Sequence, residues 1–230
     1  ITGSGIFVQP VDAGAFPRRI SADPSAEHLY ENSIAWSPDS ARLVFLSNNG
    51  TPSQPQLYIA DVKSGVARKL TSLVGDLSNP AWSPDGKSVA FLFIENAPRS
   101  AGPQMPMTVE TGVVESQVYE RRLAIVDFAS GSMRQISPAD IYVYEFDWSP
   151  DNKSFALIAA HGAGDSNWYV AQLYTLQVGS AQLKSVYRPH LQIAAPRWSP
   201  DGQRIAFISG IMSDEGVIGG DIFVVPAAGG

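Results

Sequence analysis

The sequence predicts an all-β fold, and three observations carry that reading. A tryptophan phrase occurs four times, as WSPDS from Trp36, WSPDG from Trp82, WSPDN from Trp148 and WSPDG from Trp198. An apolar stretch follows each copy at a matched offset: LVFL (43–46), VAFL (89–92), FALI (155–158) and IAFI (205–208). A second strand-like stretch then recurs, as QLYIADVKSG, RLAIVDFASG, QLYTLQVGS and DIFVVPAAGG, and no helix of ordinary length is needed anywhere.

The phrase itself reads as a tight turn between two strands. Proline presets φ at the second turn position, aspartate tolerates the next one, and Gly86, Asn152 and Gly202 accept the left-handed conformation that closes it. Ser40 is the least suited of the four closing residues. Because the apolar stretches are continuous rather than alternating, the strands after the turns are expected to be covered on both faces. The tryptophans are expected to be buried rings, and Asp39, Asp85, Asp151 and Asp201 to cap the turns.

Each unit is therefore strand a, the turn, strand b, a variable loop, strand c, a second turn and strand d. Strand d is read in ARKLTS (67–72), MRQISP (133–138) and LKSVYR (183–188). Four short antiparallel strands in roughly 40–45 residues make a β-propeller blade. The expected organisation is a β-propeller segment with three full blades and two partial ones. A partial blade with strands c and d covers 1–21, and full blades cover 22–72, 73–137 and 138–188. A partial blade with strands a, b and c covers 189–230. The echo between IFVQPVDAG (6–14) and IFVVPAAGG (222–230) places a c strand at both ends. That gives five c strands against four of each other type, so the chain is expected to be an excerpt of a larger propeller. Its open edges favour a homodimer through those edges, or marginal stability alone.

Composition narrows the class of function. The 230 residues are 44% hydrophobic and 17% charged, with no apolar run long enough to span a bilayer, so no membrane role is expected. A net charge of −6 without a basic cluster leaves no footprint for nucleic acid. Cysteine is absent, which excludes disulfides and thiolate metal sites and suits either the cytoplasm or a periplasm. Of the compartments, periplasmic or secreted is favoured over cytoplasmic.

No catalytic, cofactor or metal site is expected within the chain. It contains no G-x-S-x-G elbow, no phosphate loop and no dinucleotide fingerprint, and His28, His161 and His190 lack zinc-ligand spacing. The four turn aspartates stand one per blade and cannot converge on a cation. Two loops depart from the repeat. The second blade carries an insertion at 95–117, with hairpin-forming character from Thr108 to Val118. AHGAGDSNWY (160–169) holds His161, Asp165 and Trp168, and the first two have the look of an acid–base pair or, alternatively, of a Gly-rich hairpin with a capping aspartate.

WSPDGKSVAFLF and WSPDGQRIAFISG resemble the WD40-like or TolB-like propeller repeats. The longer stretches YERRLAIVDFASGSMRQISPADIYVYEFDWSPD and LQIAAPRWSPDGQRIAFISGIMSDEG resemble the non-catalytic propeller of the S9 (prolyl oligopeptidase) serine peptidases. Within that family they look most like the bacterial dipeptidyl-peptidase or acylaminoacyl-peptidase types. The resemblance implies a propeller that gates access of short peptides to a C-terminal α/β-hydrolase domain of the same protein. No triad residue can be carried over onto this chain. Dipeptidyl peptidases of the family hold the substrate amine with a motif like VYEE, which VYEFD (143–147) matches at Val143, Tyr144 and Glu145 only. The candidate substrate-facing residues are Tyr144, Glu145, His161 and Trp168. The alternative is a TolB-like protein-interaction propeller of the bacterial periplasm, against which the long second repeat argues.

Overall fold

A computed structural model describes residues 3–11, 14–26, 28–50, 54–97, 119–162, 165–211 and 219–229. The expected hairpin from Thr108 to Val118 and most of the 95–117 insertion lie outside the described residues. Two compact units emerge, residues 1–99 with 124–134 and residues 100–123 with 135–230.

Among the described residues there are seventeen strands and one short 3-10 helix. The first unit opens with a two-stranded sheet of β1 (Ile6–Val8) and β2 (Arg18–Ile20). A four-stranded sheet follows, with β3 (Glu31–Trp36), β4 (Arg42–Ser47), β5 (Gln56–Asp61) and β6 (Ala67–Lys69) in sequential order. The next sheet repeats that order with β7 (Gly75–Trp82), β8 (Ser88–Glu95), β9 (Arg121–Asp127) and β10 (Met133–Gln135). In the second unit, β11 (Ile141–Trp148), β12 (Ser154–His161), β13 (Gln172–Gln177) and β14 (Leu183–Tyr187) form a further four-stranded sheet. There β15 (Gln192–Trp198), β16 (Arg204–Gly210) and β17 (Asp221–Pro226) form a three-stranded one. Sheets of sequential antiparallel strands, a to d, are the blades that the repeat predicts.

Every a–b turn closes in the same way. Ser83 Oγ donates to Asp85 Oδ1 at 2.6 Å, and the same oxygen accepts the Lys87 amide at 3.1 Å. Ser149, Asp151 and Lys153 repeat the pattern at 2.6 and 3.0 Å. Ser37 with Asp39 and Ala41, and Ser199 with Asp201 and Gln203, do the same. These donors, the serine hydroxyl first, hold the four aspartates below the usual carboxylate range. The closing residues all take positive φ: Ser40 at 57°, Gly86 at 68°, Asn152 at 63° and Gly202 at 70°. Ser40 thus adopts the strained conformation that its sister positions satisfy with glycine or asparagine.

Strand a carries a feature the sequence reading does not contain. Its pairing with strand b slips in every repeat, between Asn32 and Ala35, Ser78 and Ala81, Val143 and Glu145, and Ala194 and Arg197. Three slips centre on a non-glycine residue of positive φ three positions before the repeat tryptophan: Ser33 at 53°, Asn79 at 51° and Ala195 at 55°. Such bulges bend the strand and sharpen its twist. Glu145 holds the equivalent place in β11 without positive φ.

Within each unit the core lies between successive sheets. Val44, Leu46, Leu57 and Ile59 meet Leu77, Trp82, Val89, Phe91 and Phe93 in one cluster of the first unit. Ile6 and Ile20 meet Leu43, Phe45, Tyr58 and Ala60 in another. In the second unit, Ala156, Ile158 and Leu173 pack with Ile193, Ile205 and Phe207. The expectation of four buried tryptophans holds for Trp82 and Trp148, at 7% and 9% exposure, is met only in part by Trp198, which is half-buried, and fails for Trp36, at 49%. The cluster containing Ile6 and Ile20 covers β4 and β5 and does not reach Trp36 at the end of β3.

Candidate functional site

The second unit gathers the residues singled out in the sequence around β11, whose sequence is IYVYEFDW. The rings of Tyr142 and Tyr144 lie 5.0 Å apart, and Tyr144 stacks on Trp168 at 5.6 Å with an interplanar angle of 20°. Trp168 comes from the 3-10 helix Asp165–Val170, and its Nε1 donates to the Ile193 carbonyl at 3.0 Å. Both Tyr144 and Trp168 are buried. An aromatic pair of this geometry contributes beyond its buried area, and here it fastens the segment after β12 onto the sheet.

Arg121 completes the aromatic group. Its guanidinium sits 4.9 Å from the Tyr142 ring centre and 5.7 Å from that of Tyr144, while Nε donates to the Val143 carbonyl at 2.9 Å. The sequence reading passed over Arg121, which opens β9 in an arginine doublet.

Glu145 and Asp147 stand two positions apart on β11 and both reach β15. Glu145 Oε2 accepts the Ala195 amide, and Asp147 Oδ2 accepts the Trp198 amide at 2.7 Å. Burial pushes the Glu145 carboxyl up, opposed by the Ala195 amide, Arg197 and Arg121. Burial also pushes Asp147 up, opposed by the Trp198 amide and Arg197. Glu145 is thus occupied by the bulged strand of the following sheet, through the backbone group that the Ala195 bend turns toward it. Asp147 went unnoticed in the sequence because it reads as the residue before a turn phrase.

His161 is the exposed member of the set. It ends β12 opposite Ile141, and its Nδ1 lies 3.3 Å from Asp140 Oδ2, with both side chains largely in water. Its partner is therefore Asp140; the Asp165 side chain lies outside the described residues. Glu120 is held above the usual range by burial and then by the Asp140 charge. The structure brings Tyr144 and Trp168 into contact, sets Glu145 against β15, and leaves His161 at the loop end. Among the described residues no three His, Asp or Glu side chains converge in a way that could hold a metal ion. In the first unit, an open groove of about 520 Å³ is lined by Lys69, Thr71, Leu73, Ser130 and Met133, none of them a predicted site residue.

Fold and repeat together define a β-propeller segment. Two of its sequence relatives are peptidases. The chain is 27% identical over 172 residues to the uncharacterized peptidase YuxL of Bacillus subtilis, covering 75% of this chain and 20% of that protein. It is 26% identical over 154 residues to dipeptidyl-peptidase 5 of Porphyromonas gingivalis, covering 64% and 19%. The chain thus spans about a fifth of the length of these relatives. No protein-family model matches it. Among solved structures, a TolB-type protein from Agrobacterium tumefaciens superposes with a TM-score of 0.62 at 18% identity, over 92% of this chain and 70% of that one. An oligogalacturonate lyase from Vibrio parahaemolyticus superposes with a TM-score of 0.65 at 15% identity, over 99% and 58%. At such identities the likeness is one of fold, and the fold serves unrelated chemistries.

Proposed function

We propose that the chain is the substrate-gating, non-catalytic propeller of an S9-type serine peptidase that cleaves short peptides. Hydrolysis would come from an α/β-hydrolase domain of the same protein. The observation that carries this reading is the sequence similarity to two peptidases over most of the chain. In this role the propeller excludes folded proteins and presents a peptide in a restricted set of orientations, which raises the effective concentration of the productive one.

The end of the second unit that carries His161 is the peptide-facing end in this proposal. His161 and Asp140 are exposed there, while Tyr144 and Trp168 hold the adjoining segment from beneath. Glu145 serves this end indirectly, by fixing β15 through Ala195, and is the residue matched to the amine-binding motif.

The second reading is a TolB-like interaction propeller, favoured by the superposition on the Agrobacterium tumefaciens protein. Assay of the product of the whole gene on short chromogenic peptides and on a folded protein separates the two. The peptidase reading expects serine-inhibitor-sensitive cleavage of the peptides, with the folded protein untouched, and a raised KM in His161→Ala. A gene product that cleaves no peptide and binds a protein partner instead would overturn it in favour of the TolB-like reading.

A further inference from the structure

The sequence holds a single Asn-Gly step, Asn49–Gly50, in the turn that follows β4. In such a step the glycine nitrogen can close on the asparagine side chain, because glycine lacks the Cβ that would obstruct the approach. In a folded chain the reaction requires that neither group be held elsewhere, and here both are open. Among the described residues nothing hydrogen-bonds to the Gly50 amide or to the Asn49 side chain. Gly50 is exposed at φ 85°, with no atom beyond its chain neighbours within 4 Å of the place a Cβ would occupy.

Other steps of the chain supply the contrast. Asp85–Gly86 and Asp201–Gly202 could cyclise by the same route, but the Gly86 amide donates to the Ser83 carbonyl and the Gly202 amide to the Ser199 carbonyl, each at 2.9 Å. Their aspartates are held as well, by the serine hydroxyls and the amides that close the turns. Asn48, next to Asn49, is tied through Oδ1, which accepts the Tyr30 amide at 2.8 Å.

The backbone of Asn49 is linked to a buried carboxylate. Its amide donates to Ser47 Oγ at 3.3 Å, and Ser47 Oγ donates to Glu31 Oε1 at 3.5 Å. The same Glu31 oxygen accepts the Ser21 hydroxyl at 2.9 Å and the Ala22 amide at 2.7 Å, just after β2. On its other side, the Asn49 carbonyl accepts the Tyr58 hydroxyl at 3.3 Å. Glu31 is buried, and among the described residues its Oε2 has no hydrogen-bond partner, so a further negative charge nearby is unfavourable.

We propose that Asn49–Gly50 is a site of spontaneous self-modification, and that its isoaspartate product weakens the attachment of the segment after β2 to Glu31. The Gly50 nitrogen, its proton lost to hydroxide, bonds to Asn49 Cγ. The Cγ–Nδ2 bond breaks, the nitrogen leaves as ammonia, and a cyclic succinimide remains. Water then opens the ring. Attack at Cγ gives aspartate in an ordinary chain; attack at the backbone carbonyl carbon gives isoaspartate, whose chain runs through Cβ and Cγ. No oxidant, reductant or cofactor is consumed. In isoaspartate the carbonyl that Tyr58 bonds has become a free carboxylate, and the turn is longer by one backbone atom. Charge and strain thus arrive together, one serine hydroxyl away from Glu31. The proposal is independent of the peptidase reading.

To test it, the product of the whole gene is held at mildly alkaline pH below its melting temperature and, in parallel, in concentrated urea. Peptide mapping by mass spectrometry locates the exchange of NH2 for OH, and an isoaspartyl methyltransferase with its methyl donor counts the isoaspartate. Asn49 should convert in the folded protein at a rate of the same order as in urea, whereas Asp85 and Asp201 should isomerise in urea alone. Hydrogen exchange reads the consequence. The Ala22 amide should exchange several-fold faster in the isoaspartate form, separated by anion exchange, than in fresh protein. Asn49→Gln, checked for native circular dichroism, should show neither change after the same incubation. An Asn49 that persists in the folded protein while converting in urea overturns the proposal. So does an Ala22 amide that exchanges equally fast in the two forms.

Discussion

Tyr144 and Trp168 lie nearly parallel, ring on ring at 5.6 Å, and the indole nitrogen is bonded to the Ile193 carbonyl of the next sheet. One side chain thus ties together a loop and two sheets of the second unit. Trp168→Ala should destabilise the chain by about 3–5 kcal/mol, as for other large aromatic truncations in a core. Trp168→Phe keeps much of the ring contact but loses the donor, at about 1–2 kcal/mol. Urea denaturation of both variants checks the difference.

Glu145 and Asp147 give a pH dependence of defined sign. Burial raises both carboxyls in the fold, so the native state favours their protonated forms. The stability each contributes is present below its unfolded value, ordinarily 4.5 for Glu and 3.8 for Asp, and is lost as pH rises through the raised native value. Glu145→Gln retains an oxygen to accept the Ala195 amide and removes the titration. The gap between Glu145→Gln and wild type should therefore move in favour of the variant on going from pH 4 upward. Thermal melts across that range decide it, and a gap that moves the other way would contradict the burial assigned to Glu145.

The turn aspartates behave in the opposite sense. The Ser149 hydroxyl and Lys153 amide lower Asp151, so its contribution is present above the ordinary value of 3.8 and disappears as pH falls through the lowered native value. Asp151→Ala should cost about 1 kcal/mol at neutral pH by loss of these hydrogen bonds. The cost should vanish in strong acid, as read from denaturation curves of the two proteins at each pH.

Ser40→Gly should raise stability, by up to about 1 kcal/mol, because it relieves a left-handed residue at the one turn not closed by glycine or asparagine. Asn152→Gly should gain less, since asparagine tolerates that conformation. Parallel thermal melts of the two substitutions test the order.

Much of the fold was legible because a blade is written locally. The Trp-Ser-Pro-Asp phrase specifies a turn through its own serine and aspartate, and the apolar stretch after it specifies strand b regardless of what lies elsewhere. The bulge in strand a was not legible. Ser33, Asn79 and Ala195 share no side-chain chemistry, and what unites them is a backbone angle. The exposure of Trp36 was hidden for another reason: burial depends on which neighbour lies over a residue, and the phrase is the same whether or not one does. At the candidate site, Tyr144 and Glu145 were singled out by a partial motif match, and His161 and Trp168 by the loop that departs from the repeat. Arg121, Asp140 and Asp147 act across strands that sequence spacing alone does not bring together.

The self-closing turns bear on how the chain acquires its fold. In the third blade the bonds that close the turn, from Ser149 to Asp151 and from the Ser154 amide to Ser149 Oγ, span at most five residues and need no other sheet. Little loop entropy is lost in forming such a hairpin, so nucleation is fast and can begin at any of the four phrases. The slow events are then the docking of one preformed blade on the next. Amide exchange should accordingly show hairpin protons protected early in refolding, and those linking β11 to β15 protected late.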